Sequence, residues 1–452
     1  MPMILGLYLI LFCLAIFSFW KGKYTTFLLC YYGICTSLFM LDKVVHEATC
    51  ADICILLNIC ILPLLPKRYV IRDGAVDRKH NYTFSIKNDS FASIIWVYLG
   101  FILFELVLTV ISGAENIVYG IKVVRISLLF LFYFIVKSIP TKHIERFFHY
   151  GLYITLAQAF LYYLQFTGIH LISGFDTSQL TNKVDISYLN IPILSFFYIF
   201  YCLQKDNIGR IGILYVLFLS GTILLSAART WIIALAIGLV LYLFLRKNFK
   251  QVVSVSAALL FLVPIAVHSF SEKDDASRKS MKDDISNLVT NADILDMMNS
   301  GSGTMTFRVA MLYERFSYLL ENPRYLPLGV GTIHEDSPNC TERFDFLLGT
   351  RNEGRLNGMC MIESGDIAWV PVVLRYGIIG TSLSLLILLL YFIIGIRQKD
   401  DLIIIAPIAI IQLITTLSGP FFESGTRIFV MVLLMGWAAR HNLETYLVID
   451  NE

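Results

Sequence analysis

The sequence predicts an all-α, polytopic membrane protein with about 12–13 transmembrane helices and one large, partly helical extracytoplasmic loop. Three observations support this fold class. Of the 452 residues, 57% are hydrophobic and only 15% are charged, whereas about a quarter of an average soluble domain is charged. Apolar runs of membrane-spanning length recur along the chain. A single long polar segment, residues 271–366, interrupts them.

The apolar runs divide the chain into three parts. Residues 1–270 form an N-terminal transmembrane bundle of about ten spans, residues 271–366 form the large loop, and residues 367–452 contain about three further spans. No basic region precedes the first apolar run, so we interpret it as a span rather than a cleavable signal peptide. The predicted spans lie at 3–20, 24–41, 52–66, 91–112, 120–137, 148–167, 187–203, 211–227, 230–246, 251–268, 372–396, 402–418 and 427–440.

Lysine and arginine are unevenly distributed between the connecting segments. Every second connecting segment along the chain is rich in lysine and arginine, for example residues 67–87 and 246–250. The other short connecting segments carry few cations. By the positive-inside rule the basic set is cytoplasmic, so the large loop is extracytoplasmic, with the N-terminus outside and the C-terminus inside. If the first apolar run is not a span, the N-terminus moves inside. With the large loop outside, Cys340 and Cys360 would face an oxidising compartment, where a disulfide and two free thiols are both open interpretations.

Two helices are predicted inside the large loop, at 285–298 and 307–321. Thr306 can cap the second helix, and Pro323 stops it. Arg308 would lie in the first turn of that helix, where the helix dipole disfavours a cation. We therefore expect either a salt bridge within the loop or a bound anion beside Arg308.

Arg229 lies in the middle of an apolar run, residues 211–245, that is about two spans long. Both ends of this run are predicted to be cytoplasmic, so its middle lies at the outer face with almost no room for a loop. A charge close to the hydrocarbon is costly unless it is paired. A snorkelling or loop arginine and an anion ligand at the outer leaflet are the two interpretations.

Four arginines map to the same predicted face of the membrane, in or near apolar surroundings: Arg125, Arg229, Arg308 and Arg427. Each alone also fits an ordinary surface cation. Because the guanidinium group binds phosphate oxygens in pairs, the four together predict a lipid-diphosphate site. The turn Gly329-Val330-Gly331 either adds backbone N–H groups to this site or is an ordinary turn.

Candidates for a general base lie in the large loop. We select His334 and Asp366 as candidate catalytic residues, although neither has a diagnostic spacing and a structural histidine is the alternative. The segment from Asp366 to Arg375 is interpreted as a surface or re-entrant segment, which would keep Arg375 from full burial.

Several classes of chemistry have no support in the sequence. It has no Walker A motif, no dinucleotide-binding glycine pattern, no His-Glu-x-x-His and no paired acidic motif with metal spacing in the external loops. We therefore expect neither a metal nor a cofactor. The basic residues of segment 67–90 are mixed with aspartates, which indicates a topology signal rather than a nucleic-acid partner.

Three motifs follow one another within residues 205–395. They are Leu224-Leu225-Ser226-Ala227-Ala228-Arg229-Thr230; Arg308 with its helix, Pro323 and Leu328-Gly329-Val330-Gly331; and Leu374-Arg375-Tyr376-Gly377-Ile378-Ile379-Gly380. In this order they resemble the O-antigen polymerase and O-antigen ligase superfamily of bacterial surface-polysaccharide assembly. The family patterns are a Ser-x-Ser-Arg motif, an arginine, helix and Pro-x-x-Gly-x-Gly in the large loop, and Gly-Ile-Ile-Gly at the start of the next span.

The chain departs from the family in two places. Ala228 stands where a serine is common. The ligases also carry a His-Asn pair about twelve residues before the position of Gly377, with the histidine as base, and this chain has Gly365 and Asp366 there. The second departure argues against a standard ligase and leaves Asp366 as a base or an acceptor-orienting group in a polymerase.

The resemblance implies a glycosyl transfer in the bacterial inner membrane without a metal. The donor would be a growing glycan on undecaprenyl diphosphate and the acceptor a sugar hydroxyl on another lipid-linked repeat unit. Fixed arginines would stabilise the departing lipid diphosphate. A chain-length regulator would be a further partner, and the product would be O-antigen, as in lipopolysaccharide, or a capsule or exopolysaccharide.

Three other functions remain open from the sequence. A ligase of the same superfamily would transfer the finished glycan to a different acceptor. A flippase or transporter for the lipid-linked unit would be expected to show internal repeats of spans, which we do not find. A lipid-phosphosugar glycosyltransferase would use acidic residues of the first external loop, where Asp42, Glu47 and Asp52 lie.

Overall fold

The structure is a computed structural model. It describes residues 2–36, 47–65, 70–72, 75–77, 89–166, 191–204, 209–225, 229–246, 304–344, 346, 362, 367–399, 402–419 and 421–449. Within these ranges the chain is almost entirely helical. The helices are α1 (Pro2–Trp20), α2 (Tyr24–Cys35), α3 (Glu47–Ile61), α4 (Ser90–Ile111), α5 (Ile117–Val124), α6 (Phe132–Ser138), α7 (Thr141–Phe166), α8 (Ile191–Gln204), α9 (Gly209–Leu225), α10 (Arg229–Leu245), α11 (Thr304–Glu321), α12 (Pro338–Arg343), α13 (Trp369–Arg397), α14 (Ile405–Thr415) and α15 (Gly425–Ile449).

Three helical segments of the described chain are long and apolar enough to cross a membrane: Ser90–Ile111, Ile117–Ser138 and Trp369–Arg397. Shorter apolar helices accompany them. These are Gly6–Trp20, Cys50–Leu64, Ile193–Gln204, Ile211–Leu224, Thr230–Leu245 and Ile405–Ser418. The fold prediction is therefore confirmed at the level of a helical chain with apolar helices of spanning length.

Helix α4 is apolar on its exposed face as well as on its buried face. Leu103, Phe104 and Val107 are exposed, whereas Glu105 and Thr109 are buried among apolar residues. Soluble surface helices place polar residues outside. A helix whose outer face is apolar suits contact with lipid.

The predicted spans overlap helices wherever the structure describes them. The predicted span 120–137 is one continuous helical segment in which α5 and α6 are joined by a 3₁₀ stretch, Arg125–Leu131. The predicted loop helix 307–321 is α11, which begins earlier, at Thr304. The predicted span 251–268 and the predicted helix 285–298 lie outside the described residues.

One short ribbon interrupts the helical pattern among the described residues. Strands β1 (Val70–Arg72) and β2 (Ala75–Asp77) pair antiparallel, with Ile71 opposite Val76. This pair of three-residue strands is a local departure that the sequence did not predict, and the all-α class of the described chain stands. β-branched residues favour strand pairing, and the Asp-Gly dipeptide between the two strands in the sequence is typical of a two-residue hairpin.

Helix α15 lies in the centre of the bundle. The ring of Phe429 stacks on Phe132 of α6 and on Tyr31 of α2, with centroid distances of 5.5 and 5.7 Å. Farther along α15, Trp437 meets Phe148 of α7 edge to face at 5.0 Å. Aromatic contacts of this kind add to the stabilisation from buried area. They fix the position of α15 relative to three other helices.

At one end of the bundle a largely covered aspartate, 13% exposed, joins α4 to α6. Asp89 caps α4, because its Oδ1 accepts a hydrogen bond from the N–H of Ala92 at 2.9 Å. Its Oδ2 accepts from Lys137 Nζ at 2.6 Å and from Tyr133 Oη at 2.7 Å. Lys137, at the end of the predicted span 120–137, is therefore buried in an ion pair.

Helix α15 ends on the same side as this aspartate cluster, beside the start of α7. Glu444 Oε1 accepts from Arg440 Nε at 2.6 Å and from the N–H of Thr141 at 3.4 Å. Burial raises the pKa of Glu444, but the bonds from Thr141 and Arg440 outweigh it and hold the pKa below its usual value. This carboxylate is therefore charged at neutral pH and pairs with Arg440.

Candidate functional site

Several helix ends meet at the opposite end of the bundle, which we call the arginine end. The end of α14 is the meeting point. At the start of α13, Trp369 Nε1 donates to Thr416 Oγ1 at 3.0 Å. At the start of α15, Arg427 Nη1 donates to the carbonyl oxygen of Thr415 at 3.2 Å. The ring of Trp231, near the start of α10, lies 6.0 Å from the Arg427 guanidinium.

Arg427 is almost fully buried, with 4% of its surface exposed. It lies at the edge of a cleft between α8, α10, α14 and α15. The cleft is lined by Ile193, Phe196, Trp231, Ile408, Ile411, Gln412, Thr415 and Arg427. Most of these side chains are apolar, and the polar ones lie together on α14 and α15. The cleft is therefore an apolar slot with a buried cation.

Arg125 lies in the 3₁₀ stretch after α5 and is partly exposed. Its Nη1 is 3.0 Å from Oδ2 of Asp52 on α3, and about a third of each side chain is accessible. The neighbouring Ala51 lies 3.6 Å from the position that a Cβ on Gly425 would occupy, at the start of α15. Arg125 is therefore placed near the arginine end, but its charge already has a carboxylate partner.

Arg308 is half-buried and lies on α11, next to residues that dock this helix on the arginine end. Ala310 and Met311 form a small apolar cluster with Ile367 and Val370 at the start of α13. Because α11 begins at Thr304, Arg308 is in its second turn. The prediction of a first-turn cation opposed by the helix dipole is therefore wrong, since that effect falls off after the first turn.

The apolar residues of α11 that keep helical spacing do not all face inward. Leu319 is buried, but Val309, Phe316 and Leu320 are exposed among the described residues. The inward side instead carries Arg315, which has no exposed surface. Its guanidinium pairs with Glu314 and lies 4.1 Å from the ring centroid of Phe346. No sequence pattern set Arg315 apart from the other loop arginines.

Several predicted site residues fall where the structure gives no side-chain description. Arg229 is the first residue of α10, so its backbone is placed at the arginine end, but its side chain lies outside the described part of the chain. Asp366 and Cys360 also lie outside it. Cys340 is buried behind the loop turn. The catalytic role of Asp366 and the disulfide between Cys340 and Cys360 therefore stay predictions.

The glycine turn of the large loop packs against the start of α13 through two glycines, Gly329 and Gly377. Gly329 and Gly377 both have positive φ, 80° and 56°. A Cβ on Gly329 would lie 2.6 Å from the backbone nitrogen of Gly377, and a Cβ on Gly377 would lie 2.7 Å from the carbonyl oxygen of Leu326. The helix α13 is kinked at Gly377. Only glycine allows both this backbone geometry and this approach.

The backbone N–H groups of the Gly329-Val330-Gly331 turn are used within the protein. They donate to Tyr325, Leu374 and Arg375 carbonyl oxygens at 2.6, 2.9 and 3.0 Å, respectively. A phosphate-binding turn must leave such groups free. The turn therefore fastens the large loop to α13, and the phosphate-cradle interpretation is wrong.

Arg375 is buried, with 3% of its surface exposed. Its Nε donates to the carbonyl oxygen of Ile333 at 3.1 Å, and its Nη1 lies 3.4 Å from Oε1 of Glu423. The prediction that the preceding segment would spare Arg375 from burial is wrong. The kink at Gly377 turns the start of α13 under the loop, so the guanidinium is covered by residues that it binds.

The same loop is also attached to the connection between α4 and α5. The N–H of Thr332 donates to Thr109 Oγ1 at 3.0 Å, and the N–H of His334 donates to Glu115 Oε2 at 3.2 Å. Asn339 Nδ2 donates to the carbonyl oxygen of Ala114 at 3.1 Å. The loop thus connects the end of α4 to the start of α13 across the arginine end.

The imidazole of His334 has a fixed orientation. Its Nδ1 accepts a hydrogen bond from the N–H of Asp336 at 3.1 Å. The proton of the neutral ring is therefore on Nε2, which makes Nε2 a donor. A general base needs a free lone pair directed at the substrate. This geometry does not favour His334 as the base, and its catalytic role stays a prediction.

Gln412 is a further polar residue of the site that we did not select from the sequence. It is 4% exposed and lies on α14, within an otherwise apolar helix. Its Nε2 donates to the carbonyl oxygen of Arg427 at 3.3 Å. An isolated amide in an apolar span was the available signal, because polar groups are costly in lipid unless they have a role.

Among the described residues, no group of three or more histidine, cysteine, aspartate or glutamate side chains is arranged to hold a metal ion. The described residues of the arginine end offer arginines, amides, paired carboxylates and apolar walls. Such groups can bind an anionic amphiphile.

No family model matches the chain, and no curated protein shows significant similarity to it.

Proposed function

We propose that this chain is a polytopic membrane glycosyltransferase that polymerises undecaprenyl-diphosphate-linked oligosaccharide repeat units, in O-antigen, capsule or exopolysaccharide synthesis. In this proposal it spans the bacterial inner (plasma) membrane about 12–13 times. The arginine end and the large loop lie on the extracytoplasmic side. The growing glycan and the next repeat unit are both delivered on lipid.

One observation carries the proposal: Arg427 is buried at the polar edge of an apolar cleft, at the end of the bundle where α11 and the start of α10 are also placed. A guanidinium group binds phosphate oxygens in pairs. The cleft beside it is lined mostly by apolar side chains, which suit contact with hydrocarbon. A lipid diphosphate has both parts, so it is the ligand that this arrangement favours.

The reaction would transfer a glycan without a covalent enzyme intermediate or a metal. The acceptor hydroxyl oxygen forms a bond to the anomeric carbon, and the bond from that carbon to the diphosphate oxygen breaks. The hydroxyl proton passes to a base, for which Asp366 is the candidate. Negative charge grows on the leaving diphosphate, and fixed arginines held in a dry site stabilise it more than the ground state.

The arginine end also fits a ligase, which uses the same donor and a different acceptor. No described residue separates these two reactions. The flippase or transporter differs in kind, because it moves the lipid and breaks no glycosidic bond.

Product analysis tests the proposal. The purified protein in liposomes receives a lipid-linked repeat unit as sole substrate, and the glycan is separated on a gel. A ladder of repeat lengths is the expected result. Transfer that occurs only after a separate acceptor is added means a ligase. Lipid that reaches the opposite leaflet without any glycan transfer means a transporter and overturns the proposal.

A further inference from the structure

Helix α11 presents a row of apolar and aromatic side chains to its surroundings. We call this row the α11 stripe; its members are Val309, Tyr313, Phe316 and Leu320, which are 41%, 54%, 38% and 52% exposed. Spacings of four, three and four residues place them within about 60° of one another around the helix. The stripe therefore forms one continuous face along about 16 Å of the helix.

The rest of α11 does not surround this stripe with charged groups. The buried side of the helix holds Ala310, Met311 and Leu319, and also Arg315, which has no exposed surface. Among the described side chains of α11, the only exposed charge is Glu321, at the C-terminal end. A surface helix in water instead carries polar and charged residues on its outer face. The stripe therefore favours contact with an apolar partner.

Helix α11 lies alongside the first turns of α13. Its first half packs on Val370. After the helix ends, the carbonyl oxygens of Leu326 and Pro327 accept hydrogen bonds from the N–H groups of Ile378 and Ile379, each at 3.0 Å. The side chains of these two isoleucines are 48% and 44% exposed, on a helix long and apolar enough to cross a membrane. The chain that leaves α11 is thus attached to the apolar outer surface of α13.

The length of α13 places α11 close to the membrane surface. The helix α13 has 29 residues, whereas a helix that crosses the hydrocarbon core needs about 20. Counted back from Arg397, a cation at the far end of α13, about 20 residues reach Ile378. The turns of α13 that contact α11 precede Ile378, so they lie at the level of the lipid headgroups.

Two arginines share one aromatic ring next to the C-terminal end of α11. The guanidinium groups of Arg324 and Arg343 lie 4.5 and 4.7 Å from the ring centroid of Tyr325. Within the described ranges, neither arginine is paired with a carboxylate. Tyrosine and arginine are typical of the boundary between lipid and water, where guanidinium groups reach phosphate oxygens.

The extent of the stripe favours lipid over a protein partner. Four partly exposed side chains present on the order of 300 Å² of apolar surface. A stable interface between proteins takes about 800 Å² from each partner. A bilayer needs no such minimum here, because the same chain already meets lipid at Ile378 and Ile379.

We propose that α11 is an interfacial helix of the membrane. The α11 stripe enters the leaflet at the arginine end, beside α13, and Arg324 and Arg343 contact phosphate groups of anionic phospholipids. Interfacial helices combine an inserted apolar face with cations at the level of the headgroups. This inference requires that the chain lies in a bilayer, and it does not depend on the reaction that the protein catalyses.

Photo-crosslinking of the full chain tests the inserted face. The protein is placed in nanodiscs of equal parts phosphatidylcholine and phosphatidylglycerol, with p-benzoyl-phenylalanine in place of Phe316. Phe104, which is 51% exposed on the spanning helix α4, gives the positive control, and Asp336, 67% exposed on the docked loop, gives the aqueous control. Mass spectrometry should find phospholipid adducts at the positions of Phe316 and Phe104 and only background at Asp336.

The headgroups of the same adducts test the two arginines. With p-benzoyl-phenylalanine at Phe316 and both arginines intact, phosphatidylglycerol should be enriched about fivefold over its bulk fraction, the effect of one arginine near an anionic surface. The double substitution Arg324→Gln and Arg343→Gln should return the adducts to the bulk ratio. Arg397→Gln is the control, since this exposed arginine lies at the opposite end of α13.

An adduct at Phe316 with another part of this chain or with a second copy would mean that protein covers the stripe, and it would overturn the proposal. A bulk lipid ratio with both arginines intact would overturn the assigned phosphate contact. If the Phe316 variant does not fold, the same substitution at Tyr313 repeats the test. The polymerase proposal fails separately: lipid adducts without a glycan ladder would leave α11 in the interface and exclude the proposed reaction.

Discussion

Arg427 and Arg125 carry the same charge near the same end of the bundle, but their surroundings differ. Arg427 is buried, with a backbone carbonyl and an aromatic ring among its contacts. Arg125 is partly exposed and forms an ion pair with Asp52. Because Arg427 lines the apolar cleft and Arg125 does not, we expect Arg427 to contribute more to binding an anionic amphiphile.

Two aspartates allow the burial of an ion pair to be tested. In Asp89→Asn the asparagine can still cap α4, but the buried Lys137 loses its carboxylate partner. We expect the free energy of unfolding to fall by about 3 kcal/mol, as for other broken buried pairs. In Asp52→Asn the lost pair is partly exposed, so we expect a change below about 1 kcal/mol. Denaturant unfolding in detergent measures both. Equal losses would contradict the assigned burial.

Residue types predicted the elements better than they predicted the contacts. Long apolar runs set the positions of α4, α13 and the segment from α5 to α6, because period and length are local properties. The start of α11 was misplaced by a few residues, since a polar loop has no strong boundary signal. The ribbon at Val70–Asp77 was missed because the basic residues around it were interpreted only as a topology signal.

The candidate site was predicted only in part. Arg427 was selected from its position beside a span, and the structure shows that it is buried. Its role as a diphosphate ligand stays a prediction. The burial of Arg375 was not predicted, because it depends on the backbone kink at Gly377 and on the loop that covers it. The glycine turn was identified, but its partners on α13 are distant in sequence. Such long-range contacts leave no local pattern.

The docking of the large loop on α13 is an element-scale prediction. Gly377→Ala should destabilise the protein by about 2 kcal/mol, because alanine strains the positive φ and meets the backbone of the loop. Gly100→Ala is the matched control, since Gly100 lies in α4 with open space around its Cα. We expect it to be neutral or slightly stabilising.

Thermal unfolding measures this effect, and limited proteolysis of residues 323–336 reports on the loop itself. We expect faster cleavage in Gly377→Ala and no change in Gly100→Ala. Unchanged stability and cleavage in Gly377→Ala would mean that the two glycines do not hold the loop.

The whole-molecule arrangement separates two ends of one bundle. The arginine end collects the cleft and the docked loop, and the other end collects the ion pairs of Asp89 and Glu444. The sequence rule for basic segments predicts which end faces outward. The contacts define the two ends, and their sidedness stays a prediction.

Labelling of intact cells tests the sidedness. Asp336→Cys places a thiol on the docked loop, where the native side chain is 67% exposed, and Lys399→Cys places one at the exposed far end of α13. A membrane-impermeant maleimide should label the first variant in intact cells and the second only after permeabilisation. The parent protein corrects for native cysteines. The reverse pattern would invert the topology.

The rate of glycan transfer in matched arginine variants tests the central claim most directly. Arg427 and Arg440 lie on the same helix, and both are buried. We expect Arg427→Lys to lower the single-turnover rate from the lipid-linked donor about 100-fold, because lysine cannot contact the leaving diphosphate in the same two-pronged geometry. Arg440→Lys should retain the wild-type rate. Equal rates in the two variants would contradict the assignment of Arg427 to the leaving group.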